Sequence, residues 1–190
     1  MPRWLKNRLV WFFLLGLLLA VPLALIRVHD PRDVVYVASP PEVVDAMLEM
    51  ADIRPGDVVY DLGCGDGRIA VAAAKRYGVK AFGFDIDPVR VQESIENAEK
   101  NRVQQLVTIR EANIFELDLS GADVVMLYLS RTVNAKLIPQ LEKLKPGSRI
   151  VSHDFDIPGI RVQTSVTVQP KSGRERVVYL WSTPLVTACE

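Results

Sequence analysis

Asp61, the alternating glycines 63, 65 and 67, and Asp85 are the residues whose types and spacing carry chemistry in this 190-residue chain. The first group lies in Val58-Val59-Tyr60-Asp61-Leu62-Gly63-Cys64-Gly65-Asp66-Gly67-Arg68. A short β-branched and aromatic run predicts a buried strand ending at Asp61 or Leu62. The segment Ile69 to Tyr77 predicts a helix. Glycine permits positive φ and close ligand approach to the backbone. A glycine loop between a strand and a helix N-terminus suits a nucleotide, with amide groups and helix dipole aimed at the ligand. A second strand, Val79 to Phe84, ends in Asp85, an acid roughly 20 residues beyond the loop and suited to ribose hydroxyls. Cys64 lies inside the loop, where a small side chain fits.

The elements that position these residues follow in order. Ser39 reads as an N-cap and Pro40 as the first helical position, with Glu42, three residues after the cap, completing a capping box. Val43, Val44, Met47, Leu48 and Ala51 share one helical face. Asp87-Pro88 starts another helix, with Val91, Ile95 and Ala98 on its buried face. Leu106 to Arg110 is a third strand and Ala122 to Leu129 a fourth, apolar enough to be covered on both faces. Thr132 to Lys145 is helical, with Pro139 expected to bend or interrupt it. Strand five runs from Arg149 to Phe155. Val162 to Val168 and Arg176 to Trp181 form an antiparallel pair. There is no internal repeat or second domain.

Formal net charge is +0, which argues against a nucleic-acid partner. The two cysteines, Cys64 and Cys189, give neither a disulfide framework nor metal spacing, and no metal is expected.

The N-terminus carries a basic tail, residues 1–8, then an uncharged apolar run from Leu9 to Ile26. About 18 residues rising about 1.5 Å each suffice to cross the bilayer core. We read residues 9–26 as a single-pass transmembrane helix, residues 27–38 as a linker and residues 39–190 as the globular domain. A cleaved signal peptide is the competing reading, but no convincing small-x-small site follows the run. Lysine and arginine counts around the span slightly favour a cytoplasmic N-terminus.

The G-x-G-x-G spacing, with Asp61 before it and Asp85 after it, resembles the first motifs of class I S-adenosylmethionine (SAM) methyltransferases. Tyr36-Val37-Ala38-Ser39-Pro40, followed by Val43-Val44 and Met47-Leu48, is similar to the leader of a narrower group. That group holds the small archaeal protein lysine methyltransferases and the mitochondrial enzymes that methylate the ATP synthase c subunit. Asp61 to Arg68, Leu137 to Leu141, Lys145-Pro146-Gly147 and Val151-Ser152-His153-Asp154-Phe155 extend the likeness. Ala38 and Ser39 depart from the family's proline and threonine.

The resemblance implies an α/β fold: a seven-stranded, doubly wound, Rossmann-like methyltransferase sheet with a C-terminal antiparallel hairpin, here preceded by the transmembrane helix. It implies SAM as cofactor. Asp61, Gly63, Cys64, Gly65 and Gly67 would lie around its methionine part, Asp85 would hold the ribose, Ile86 would flank the adenine and Asn113 would meet its exocyclic amine. Core packing for Ile86 and a turn role for Asn113 are the ordinary alternatives. Tyr128 and Tyr36 are candidates for shaping the amine channel, with plain packing the alternative. His153 and Asp154 look like an acid–base pair, but neighbours on a strand point to opposite faces, so the two could share one pocket only through a distortion, and a structural role at the end of strand five is the favoured reading.

The expected function is a membrane-anchored SAM-dependent transfer of methyl groups to protein lysines. The partners are then a protein with an accessible lysine, itself a membrane protein in one version, and the lipid bilayer through residues 9–26. A methyltransferase of a lipid, quinone or other small molecule, and a non-catalytic SAM-binding membrane protein, are the alternatives. Because SAM is an intracellular metabolite, the catalytic domain is expected on the cytoplasmic side, against the slight charge bias.

Overall fold

The computed structural model describes residues 36–188. Its elements are α1 (Pro41–Met50), β1 (Val58–Leu62), α2 (Arg68–Tyr77), β2 (Lys80–Asp85), α3 (Pro88–Lys100), β3 (Val107–Glu111), a 3₁₀ turn (Ile114–Glu116), β4 (Val124–Leu127), α4 (Arg131–Leu141), β5 (Arg149–His153), β6 (Thr164–Val168) and β7 (Arg176–Ser182). Seven strands form one sheet in the order β3-β2-β1-β4-β5-β7-β6. The pairs from β3 to β5 are parallel, and β7 runs antiparallel to both β5 and β6. Strand order reverses between β1 and β4, so a ligand crevice is expected beyond their carboxyl ends.

The period-2 alternation of the strands divides the core into two layers. Val59, Val124, Met126, Val151 and Val178 join α1 and α2 residues on one face, whereas Leu62, Val125, Leu127, Ile150 and Trp181 join Val133, Leu137 and Leu141 of α4 on the other. β4 is buried along its whole length, as its unbroken apolar run implies.

Several element ends differ from the sequence reading. Ser39 does not cap α1: the helix begins one residue later behind Pro40 and no side chain caps it. The Pro40 carbonyl takes both the Val43 and Val44 amides at 3.0 Å, and Ser39 turns inward instead. In α3 the buried residues are Ser94 and Ala98, while Ile95 is exposed. A small hydroxyl is favoured there because the helix packs on the glycine loop. Asp87 does cap α3, accepting from the Val89 amide at 2.9 Å. Pro139 lies within α4 without ending it. Among the described residues no helix is long and apolar enough to cross a membrane. The anchor expected at residues 9–26 lies outside them.

Candidate functional site

Asp61, Asp85, Tyr128 and His153 all stand at the carboxyl ends of neighbouring strands, along the edge where strand order reverses. The β1 end is built first. Asp61 is buried, and its Oδ2 has no hydrogen-bond partner. Burial pushes its carboxyl up to about 7, partly offset by the Ala70 amide in the first turn of α2, with the nearby Asp85 and Asp66 charges adding to the rise. An unpaired buried carboxylate oxygen is costly unless a cation or donor meets it.

The glycines at 63, 65 and 67 all have positive φ, at 72°, 58° and 72°. A Cβ on Gly63 would stand 2.6 Å from Leu129 Cδ2, one on Gly65 2.2 Å from the Tyr36 ring, and one on Gly67 2.9 Å from Ser94. The missing side chains therefore make room for protein groups. The loop amides are also spent internally. Gly63 and Cys64 both donate to the Phe84 carbonyl, at 2.8 and 2.9 Å, and Gly67 donates to Cys64 at 2.9 Å. Gly65 donates to Asp85 Oδ2 at 2.9 Å. This corrects the expectation that the loop amides point at a ligand: these four offer no nest for a phosphate.

The loop is held from α3 as well. Ser94 Oγ donates to the Gly65 carbonyl at 2.7 Å, and Asn97 Nδ2 to the Asp66 carbonyl at 2.9 Å. Cys64 is buried with its Sγ 3.6 Å from Ser94 Oγ. Burial pushes its thiol up, which leaves it unreactive as a nucleophile.

Asp85 accepts from Gly65 and, through Oδ1, from the Asp87 amide at 3.0 Å. Each carboxylate oxygen keeps a lone pair for a further donor. Ile86 follows it, half-buried. Asn113 is occupied by the 3₁₀ turn, its Oδ1 accepting from the Phe115 amide at 3.1 Å and its Nδ2 donating to Glu116 at 2.9 Å.

The leader reaches both ends of the site. Tyr36 packs on Gly65 and carries the Arg90 guanidinium 4.6 Å from its ring centre on its own account. Arg68 forks onto Asp66 and donates through Nη1 to the Ser39 carbonyl at 2.7 Å. Ser39 Oγ meets His153 Nδ1 at 2.9 Å. Tyr36 thus stands against the glycine loop, while Tyr128 stands at the end of β4 with its ring stacked on His153 at 3.7 Å. The sequence reading passed over Arg68, although the Asp66-Gly67-Arg68 spacing was a signal for a short-range pair.

Strand β5 ends at His153, and Asp154 adopts φ +61°. That left-handed residue supplies the distortion that brings His153 and Asp154 to one side, the ring Nε2 and the carboxylate Oδ2 3.7 Å apart. Asp154 Oδ2 accepts from Arg174 and Arg176 at 2.6 Å each, and Oδ1 from the Val177 amide at 3.2 Å. Arg176 Nη1 also donates to the Tyr128 hydroxyl at 3.4 Å. Arg174 and Arg176 were not singled out from the sequence, because only the antiparallel return of β7 beside β5 brings them here. Among the described residues no cluster of metal-ligating side chains occurs.

The chain resembles known proteins over most of the described residues. The sequence profile described as the ANTKMT methyltransferase domain matches residues 61–164. A protein-lysine N-methyltransferase of Saccharolobus islandicus (strain REY15A) is 46% identical over 148 residues, 77% of this chain and 91% of that protein. A ribosomal protein L11 methyltransferase of Pelotomaculum thermopropionicum is 35% identical over 101 residues, 53% of this chain but 33% of that protein. The crystal structure of an RNA methyltransferase from Salinibacter ruber, in complex with S-adenosyl-L-homocysteine, superposes with a TM-score of 0.72 at 45% identity, covering 78% of this chain and 94% of that one.

Proposed function

This chain belongs to the ANTKMT methyltransferase domain family and is a SAM-dependent methyltransferase, and on that premise we propose that its acceptors are lysine side-chain amines of proteins. The observation that carries the proposal is the 46% identity to a protein-lysine N-methyltransferase along 91% of that protein. Such a span covers far more than a shared cofactor loop.

The residues present fit the cofactor. Asp61 has an unpaired buried oxygen for a cationic group such as the methionine ammonium, and Asp85 has acceptor capacity for ribose hydroxyls. A loop whose amides are already paired suits a ligand that lacks phosphate. When bound, SAM supplies an electrophilic methyl on a sulfonium. The protein's task is then to place a neutral amine in line with it, a proximity effect worth up to about 7–11 kcal/mol. Lysine's ordinary pKa of about 10.4 must fall in the channel. Leu129, the Tyr128 ring and Phe155 supply apolar surface that disfavours the ammonium form. The Arg176 guanidinium at the Tyr128 hydroxyl repels a second cation in the same sense.

A second reading follows from the Salinibacter protein, described as an RNA methyltransferase. Zero net charge and the engagement of Arg174 and Arg176 by Asp154 favour the protein acceptor over a polyanion. We further propose that residues 9–26 anchor the enzyme in a bilayer with its catalytic domain on the cytoplasmic side, on the strength of the apolar run and the location of SAM. A membrane-dissolved lipid or quinone acceptor is the remaining alternative.

The test is to incubate the full chain in detergent with methyl-labelled SAM and a total membrane extract, then separate protein, RNA and lipid. Methylated lysine in the protein fraction is expected. Label confined to RNA or to lipid overturns the lysine reading, and no binding of SAM by calorimetry overturns the enzyme. A reporter fused at Glu190 that works only outside the cytoplasm overturns the orientation.

A further inference from the structure

His153 is fully buried at the end of β5, and its Nε2 has no hydrogen-bond partner. Asp154 Oδ2 lies 3.7 Å from that nitrogen, beyond hydrogen-bond range. A bare ring lone pair facing a carboxylate is repelled, whereas an N–H is attracted. The Ser39 hydroxyl therefore donates to Nδ1, and the ring proton sits on Nε2.

The imidazole lies against the Tyr128 ring, with centroids 3.7 Å apart and planes 25° from parallel. Alternation along the strands explains the meeting. Tyr128 and His153 project to the same face as Met126 and Val151, the face covered by α1. Tyr128 is held at its other end by Arg176, which Asp154 clamps. An apolar side chain would fill the His153 position without leaving a nitrogen unpaired, so packing alone does not call for histidine.

We propose that His153 is a positioning residue of the acceptor side, a neutral ring that fixes Tyr128 from β5 and ties it through Ser39 to the leader. This rests on the reading of Tyr128 as a wall of the amine channel. The ring acts through its shape and its hydrogen bond, not as a base. Burial holds it down to about 4, the Asp154 charge opposing that fall and the Arg176 and Arg174 charges adding to it, so it is uncharged across the working range.

The test compares His153→Ala, His153→Phe, Ser39→Ala and Tyr128→Ala with the double variant His153→Ala/Tyr128→Ala, all as full chains in detergent. Two readouts are taken: the dissociation constant for S-adenosylhomocysteine, and the initial rate of label transfer into total membrane-extract protein from pH 6 to 9. His153→Ala is expected to slow transfer about ten-fold while the dissociation constant stays within about three-fold. His153→Phe, which keeps the stack, should recover most of the rate, and Ser39→Ala should slow it by about three-fold. In the Tyr128→Ala background, His153→Ala should cost less than a further two-fold, because a residue that acts through Tyr128 has nothing left to position. Rates that multiply in the double variant overturn the proposal. So does an acid limb near pH 6–7 that disappears in His153→Phe, because the imidazole would then be a base.

Should His153→Ala fail to fold, His153→Phe and Ser39→Ala still decide the case. The sequence contains 2 histidines, so ring ¹⁵N spectra of the full chain read His153 without any acceptor. A neutral ring protonated on Nε2, shifted by Tyr128→Ala, is expected even if the wild type labels no protein. That last result would count against the lysine reading alone. A ring that titrates near 6.5 overturns the proposal itself.

Discussion

The proposed cofactor end and the proposed acceptor end of this site are assembled from very different lengths of chain. The cofactor end runs from Asp61 to Asn97, one strand–loop–helix–strand–helix unit in which the loop amides, Asp85, Ser94 and Asn97 hydrogen-bond within the unit. The acceptor end gathers Ser39, Tyr128, His153, Asp154 and Arg176, and depends on β5 lying between β4 and β7. A local unit tolerates change elsewhere in the fold. A gathered one is set by topology, and it contains the left-handed Asp154. The two ends should therefore fail separately, and substitutions at four positions test this.

The largest effect is expected from Gly67→Ala. Its Cβ would meet Ser94 Cβ and Oγ at 2.9 Å and Ser94 Cα at 3.2 Å, at φ +72°. Strain and overpacking together should cost about 2–4 kcal/mol of stability. Denaturant midpoints should fall accordingly, and S-adenosylhomocysteine binding should drop at least 100-fold. A variant of normal stability would mean that α3 yields, and that the cofactor end is less rigid than its contacts imply.

Asp61→Asn should separate stability from binding. The folded-state pKa of about 7 lies above the ordinary 3.8, so the native state holds the extra proton between those values. Stability of the free protein then falls as pH rises through that window, and the deficit persists above it. Replacing the carboxylate removes that slope and should raise stability at pH 8 by about 1–3 kcal/mol. Affinity for S-adenosylhomocysteine should meanwhile fall at least ten-fold. Thermal scans at pH 5 and pH 8 with matched calorimetry check both. A loss of stability at pH 8 would show that the unpaired oxygen has a partner in solution.

Asp154→Asn acts at the other end. It weakens the hold on Arg174 and Arg176 and should cut methyl transfer about five- to ten-fold, with cofactor-product affinity within about two-fold. An equal loss of affinity would break the separation of the two ends. The smallest effect is expected at Tyr36, which is exposed. Tyr36→Ala should weaken S-adenosylhomocysteine about three-fold and Tyr36→Phe hardly at all, since the ring on Gly65 is what the loop feels.

Legibility from sequence follows the same division. The β1–loop–α2 unit, the acid that ends β2 and the terminal antiparallel pair could all be read because periodicity and glycine spacing are local signals. The glycines were read as places where a Cβ would collide with a ligand; in the fold a Cβ there would collide with protein side chains. Leu129, Tyr36 and Ser94 fill those spaces, and only the folded chain brings the first two there. Ser39 looked like a helix cap because it precedes Pro40 and Glu42. Its hydroxyl instead goes to a histidine 114 positions away, a partner that no window of sequence contains. The 153–154 pair was judged to need a distortion to share one side. The structure has that distortion at Asp154, a residue type that tolerates the left-handed region better than most.

The internal pairing of the loop amides bears on how the site answers solvent before any ligand arrives. The amides of Gly63, Cys64, Gly65 and Gly67 are bonded to protein acceptors at 2.8–2.9 Å, so in deuterated buffer they exchange only when the β1–β2 edge opens. A phosphate-binding loop keeps its amides free and exchanges fast until the anion binds. Here the loop should be protected in the free protein, and ligand should add little to that protection. Binding then requires little ordering of backbone at this loop, and the associated entropy loss falls on the side chains around it.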